Sequence, residues 1–136
     1  MYEELMKRMK YENIEYVNHT LSWTKGMIAR YEGITVIILD ETKITSESEK
    51  NTILMQELGH YLSNAYYKSN SPYEVIEHRE RIADIAAWET FLPFDKVMNL
   101  QRKGLIKATD LAKHFLIQPD YMARCINYYY TTQRFR

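Results

Sequence analysis

The sequence predicts an α+β fold: a small antiparallel β-sheet packed beside a two-helix core, followed by a helical C-terminal portion. Three observations predict it. A β-branched and aromatic run, KGMIARYEGITVIILD at residues 25–40, is interrupted by Glu32-Gly33 and reads as two strands joined by a tight turn. Two long segments then repeat apolar residues at helical spacing, and three shorter ones follow residue 93. The whole chain of 136 residues is expected to form one domain, with a core unit at 1–93 and the helical portion at 94–136.

Taken in order, Leu5, Met6 and Met9 stand at three and four spacing and, with Ile14 and Tyr16, predict an amphipathic helix within residues 2–16. The second strand of the following pair, residues 33–39, is almost entirely apolar and is expected to be covered on both faces. Thr45-Ser46-Glu47-Ser48-Glu49 supplies N-cap candidates and first-turn acids for a helix from about residue 47 to 67. KSNSP at 68–72 reads as a loop, and Pro72 suits the opening of a second long helix. That helix carries Ala83, Ala86 and Ala87 and stops near Pro93; its alanine stripe implies close packing on another helix. Gly104 and Gln118-Pro119-Asp120 separate three short helices, the last two resembling a helix-turn-helix.

Cys125 is the only cysteine, so no disulfide forms within the chain and no thiolate pair is available to a metal. The first sixteen residues mix acids and bases without an apolar stretch, and the longest apolar run, residues 34–39, is too short to cross a bilayer. A cytoplasmic protein without membrane insertion is the expectation. Net charge is zero, yet residues 1–93 carry −5 and residues 94–136 carry +5. Lys107, Lys113 and Arg124 make too thin a phosphate footprint for nucleic-acid binding, diluted as they are by Asp110 and Asp120. Tyr128-Tyr129-Tyr130 either seals a core edge or forms a partner surface.

The chemistry lies in LMQELGHYL, residues 54–62. At about 100° per residue, Gln56, Glu57 and His60 address one patch of a helix. This is HExxH with glutamine in place of the first histidine; in such a motif two histidines hold zinc and the glutamate activates water. Gly59 lets another backbone approach. On the next helix Glu77, Glu80 and Asp84 form one acidic stripe, which antiparallel packing would set across from His60. Glu80 is central and is the expected acidic ligand. Asp84 is either an outer acceptor for the His60 ring or an alternative ligand. His78 points away from Glu80, and His19 and His114 have no metal spacing around them.

The run EKNTILMQELGHYL, followed about twenty residues later by EHRERIADIAAWETFLP, resembles the ImmA/IrrE family of zinc metallopeptidases found in prophages, integrative elements and stress regulators. Glu80-Arg81-Ile82-Ala83-Asp84 is similar to that family's E-x-x-A-D segment, and Ala87, Leu92 and Pro93 follow most of the remainder. The aromatic position holds Ala86, with Trp88 displaced. The likeness covers most of the chain and implies a zincin-like two-helix active-site core, a metal ligand at His60, an acidic ligand at Glu80 and a general base at Glu57. Gln56 is the departure: its amide oxygen is a neutral donor that zinc takes less readily than imidazole, which lowers affinity. Two functions follow as expectations. One is a zinc-dependent hydrolase that cuts a helix-turn-helix repressor of its own prophage or mobile element; the other is a metal-free relative that binds a regulator without cutting it.

Overall fold

The computed structural model describes residues 1–68 and 70–133; Ser69, within the predicted loop, lies outside the described residues. The chain runs α1 (Tyr2–Tyr11), β1 (Ile14–Asn18), β2 (Gly26–Tyr31), β3 (Ile34–Leu39), a 3-10 turn (Glu41–Lys43), α2 (Glu47–Ser63), α3 (Tyr73–Phe91), α4 (Phe94–Arg102), α5 (Ala108–Phe115) and α6 (Pro119–Gln133). It is an α+β fold with a helical C-terminal part. No helix among the described residues is long and apolar enough to cross a membrane.

The first helix is shorter than its apolar spacing predicts. Asn13 takes a left-handed φ of 57°, which ends the helical path, and Ile14 and Tyr16 continue as β1. That strand pairs in parallel with β3, while β2 pairs antiparallel with the other side of β3. The sheet is therefore mixed, in the order β1-β3-β2, rather than purely antiparallel. A helical period and a two-residue strand period coincide over so short a stretch as Ile14 to Tyr16, so spacing alone misplaced it. The hairpin closes as expected, with Glu32 and Gly33 at φ 51° and 80°. β3 is central, but its burial alternates: Thr35, Ile37 and Leu39 are buried, whereas Val36 and Ile38 are only half-covered. One face of the sheet meets the helices fully and the other does not, which corrects the expectation of two covered faces.

α2 starts where its caps predict. The Ser46 hydroxyl accepts from the Glu49 N–H at 3.0 Å, and the Glu49 carboxylate accepts from the Thr45 N–H at 2.9 Å. It ends at Ser63, short of residue 67, because Asn64 turns left-handed (φ 56°) and the Ala65 N–H closes back on the His60 carbonyl at 3.2 Å. α2 and α3 lie together as a helical pair, and Gly59 marks their contact. A Cβ added there would strike the Ala83 carbonyl and press on the Ala87 methyl. The alanine stripe is thus the partner of a single glycine.

The C-terminal helices share this core. The buried Asn51 side chain donates to the Leu116 carbonyl at 2.8 Å, and the buried Thr52 hydroxyl accepts from the Gln118 N–H at 2.9 Å, so α2 grips the turn between α5 and α6. Leu111, Tyr121, Met122 and Tyr129 join Leu54, Leu58 and Leu5 in one apolar cluster. Tyr129 seals the core, its hydroxyl donating to the Trp88 and Leu92 carbonyls, while Tyr128 and Tyr130 reach Glu89 and Gln101. α6 thus reaches α3 and α4 through its tyrosines, and Arg124 is paired with Asp84.

Substituting Gly59→Ala tests the contact. Alanine improves helix propensity by about 1 kcal/mol, but the collision is with backbone and has no soft side chain to absorb it. The expected result is a net loss of about 1–3 kcal/mol in urea unfolding, together with weaker pairing of the side chains that α2 and α3 hold opposite each other.

Candidate functional site

Gln56, Glu57 and His60 on α2 and Glu80 on α3 line one cavity of about 460 Å³. Its other walls come from Trp23, from Gly26 to Ile28 on β2, and from Tyr66 and Tyr67 after α2. The helix end does the positioning. Because Asn64 reverses the chain, the Ala65 carbonyl meets His60 Nδ1 at 2.6 Å, which directs Nε2 outward. Glu80 Oε1 stands 3.3 Å from that Nε2, and the Tyr67 hydroxyl donates to the same carboxylate. Tyr66 stacks on the His60 ring and Tyr67 meets it edge-on.

Charge in this pocket is strongly biased. Burial opposes the imidazolium, but the hydrogen bonds to Glu80 and to the Ala65 carbonyl, with both nearby carboxylates, outweigh it and raise the His60 pKa to about 9. Burial raises Glu57 to about 7, with His60 pulling it down and Glu80 pushing it up. Glu80 is held below the usual carboxylate range; burial works against this, and the bonds from His60 and Tyr67 prevail. A half-buried glutamate with a pKa near neutrality can accept or release a proton at physiological pH.

The expected site residues are not all brought together. His60, Glu80, Glu57 and Gln56 converge as the helical spacing predicts. Asp84 does not join them. Its Oδ2 accepts from Arg124 Nη1 at 2.7 Å, and the His60 nitrogen it was expected to orient is taken by Ala65. One turn further along α3 moves Asp84 past the histidine and toward α6. His78, His19 and His114 are exposed. Sequence reasoning missed Tyr66, Tyr67 and Trp23, which reach the cavity through a left-handed helix end and a loop that leave no periodic trace; the Ala-Tyr-Tyr run directly after Asn64 was the available signal.

Zinc fits these residues in part. Two donors on one tetrahedral ion with bonds of about 2.0–2.1 Å stand roughly 3.3 Å apart, and His60 Nε2 and Glu80 Oε1 are 3.3 Å apart. Among the described residues, however, no three His, Cys, Asp or Glu side chains are grouped to hold a metal ion. Gln56, which lines the same cavity, offers only a neutral amide oxygen as a further donor. No family model, curated protein or solved structure matches the chain.

Proton linkage supplies a test in chelated, metal-free protein. Glu57 has a folded pKa above its ordinary value, so the folded state holds the proton more tightly, and stability is lost as pH rises from about 4.5 to 7. His60 is also raised, from 6.5 to about 9, so its contribution is complete below 6.5 and is lost as pH climbs through 9. Both slopes point the same way. Glu57→Gln is expected to stabilise the protein at pH 8 by about 1–2 kcal/mol and to change nothing at pH 4, as read by thermal melting. Equal melting temperatures of the two proteins at pH 8 would count against a desolvated carboxylate.

Proposed function

We propose that this chain is a zinc-dependent peptide hydrolase of the ImmA/IrrE type, acting in the cytoplasm on a helix-turn-helix repressor of a prophage or integrative element. The observation that carries the reading is the convergence of His60 Nε2 and Glu80 Oε1 at 3.3 Å in a cavity that also holds Glu57. His60 and Glu80 would hold the metal, with the Gln56 amide as third donor. Zinc, when bound, supplies polarisation of the scissile carbonyl and acidification of water.

The protein's own groups divide the remaining work. Ala65 fixes the His60 ring, so its Nε2 is presented without searching among orientations. Glu57 takes the proton of the attacking water and passes it to the leaving amine. The Tyr67 hydroxyl donates to Glu80 and so orients its carboxylate. β2 contributes a docking edge. Because the Asp40 N–H bonds to the Lys25 carbonyl, the residues that face β3 are Met27 and Ala29, which leaves the N–H and C=O of Ile28 directed to the open side. Ile28 lines the cavity, so an extended peptide can add to β2 and lie across Glu57 and His60.

A second reading has its own observation. Among the described residues no three His, Cys, Asp or Glu side chains form a metal-binding group, and His60 already pairs with Glu80 directly. A metal-free relative that binds a regulator through the same cavity would look this way. Glu57→Ala separates the two: a hydrolase loses its biological activity and a binding module keeps it.

Zinc titration of the purified protein, followed calorimetrically, tests the first reading. Native protein is expected to bind one zinc weakly and His60→Ala none. Gln56→His is expected to tighten binding by at least the roughly 10- to 100-fold that an outer partner is worth. Absence of zinc binding to native protein at millimolar metal, with no gain in Gln56→His, would remove the hydrolase proposal.

A further inference from the structure

Beside its charged groups, the cavity around His60 has aromatic walls. Trp23, Tyr66 and Tyr67 border it, and all three keep much of their surface in solvent, at 69%, 43% and 38%. A single exposed aromatic residue is ordinary, whereas three around one concavity, with Ile28 beside them, make a patch of the kind that receives another molecule. Tyr66 stacks on the His60 ring and Tyr67 meets its edge, so the patch adjoins the charged groups rather than lying apart from them.

Trp23 is exposed, yet the loop that carries it is pinned. Both ends of this connection between β1 and β2 are tied to one place: the His19 N–H donates to the Leu39 carbonyl at 2.9 Å, and the Asp40 N–H donates to the Lys25 carbonyl at 2.8 Å. Within the loop, the buried Asp40 carboxylate accepts from the Leu21 N–H at 3.0 Å, and the Lys43 ammonium donates to the Leu21 carbonyl. The indole is thus brought to the cavity on a fixed base, which lowers the ordering cost when a guest arrives.

The strand β2 says how a guest would lie. The Thr24 hydroxyl already donates to the Gly26 carbonyl, so Ile28 is the next residue whose outward carbonyl remains for an added strand. In such a strand the residue opposite Ile28 shares its face of the sheet. Ile28 packs toward the core and borders the cavity, so the side chain opposite it is directed there too. Charge then narrows its chemistry. An acidic side chain would meet Glu57 and Glu80. A basic one would find Glu80 already paired with His60, and would pass Arg30, whose charge acts on the Tyr66 phenol.

We propose that Trp23 and Tyr66 form a pocket for a large apolar side chain of the peptide this protein binds, carried by the residue that pairs with Ile28, and that Trp23 sets this preference. The proposal rests on the reading above only in taking the ligand to be a peptide laid along β2; it needs neither zinc nor hydrolysis.

Binding is measured on the full chain stripped of metal by a chelator, so that failure of the hydrolase reading leaves the result intact. The probes are the blocked pentapeptides acetyl-Thr-Thr-X-Thr-Thr-amide, with phenylalanine, alanine, lysine or glutamate at X. The amide resonance of Ile28 reports the peptide backbone reaching β2, and the indole N–H resonance of Trp23, identified by its loss in Trp23→Phe, reports the side chain. The phenylalanine peptide is expected to shift both saturably and to bind about tenfold more tightly than the alanine peptide, the scale of burying a large apolar side chain. Trp23→Ala is expected to cut that preference to about threefold or less, and Trp23→Phe to keep most of it. Because the indole is exposed, both variants should melt as the native protein does. Equal Ile28 shifts with the phenylalanine and alanine peptides would leave the peptide site standing and overturn the pocket. So would an unchanged preference in Trp23→Ala, or a lysine or glutamate peptide that binds more tightly than the phenylalanine one. No saturable Ile28 shift with any peptide would also remove the pocket, and the zinc titration would then decide separately whether the chain is a hydrolase.

Discussion

The contact of Gly59 with Ala83 and Ala87 is the constraint on which the site depends. Helices bearing larger side chains at their crossing stay about 8–10 Å apart, and at that range a histidine and a glutamate on facing surfaces meet only through long, freely rotating stems. Here the missing Cβ lets the α3 backbone close on α2, which brings His60 Nε2 and Glu80 Oε1 to 3.3 Å. The residue next to the glycine is the histidine itself, so packing and chemistry are set by adjacent positions. The bond that Asn51 donates to Leu116 and the one that Thr52 accepts from Gln118 then tie the far end of α2 to the α5–α6 turn.

What the sequence made legible follows from the same geometry. Side chains three and four apart on a helix share a face regardless of context, so Gln56, Glu57, His60 and Glu80 could be placed from spacing and the expectation of an antiparallel pair. Asp84 lies on that face too, and spacing alone could not say that α6 would arrive with Arg124 to claim it. Whether an acid meets a histidine or an arginine depends on a long-range contact that no local pattern carries. β1 was hidden for a different reason: five residues cannot distinguish two periods, and the signal that a helix had ended was the φ of Asn13. Tyr66 and Tyr67 reach the cavity because Asn64 reverses the chain, and a left-handed asparagine is foreseeable as a helix cap without revealing where the following residues point.

The electrostatics describe a site held at some cost to the fold. A protein selected for stability alone would not keep Glu57 where burial raises its pKa to about 7, nor set it near a second carboxylate. His60 relieves part of that cost by taking a proton, and Tyr67 relieves more by donating to Glu80. The group therefore behaves as a unit in which the His60 proton offsets one carboxylate and a proton on Glu57 the other. A divalent ion and a pair of protons are alternative ways to balance the two carboxylates, which is why a weakened metal site and a metal-free pocket can share this arrangement of side chains.

Glu80 has a position that neither reading alone explains. It faces His60 on one side and borders a second cavity, a groove between α3 and α6, on the other, so its carboxylate belongs to both cavities. The C-terminal helices, whose order resembles a helix-turn-helix, then acquire a use that DNA binding would not give them. By turning α6 inward they wall the groove with Arg124, Asn127 and Tyr128. Arg124 on Asp84 is one point at which the basic C-terminal portion meets the acidic core.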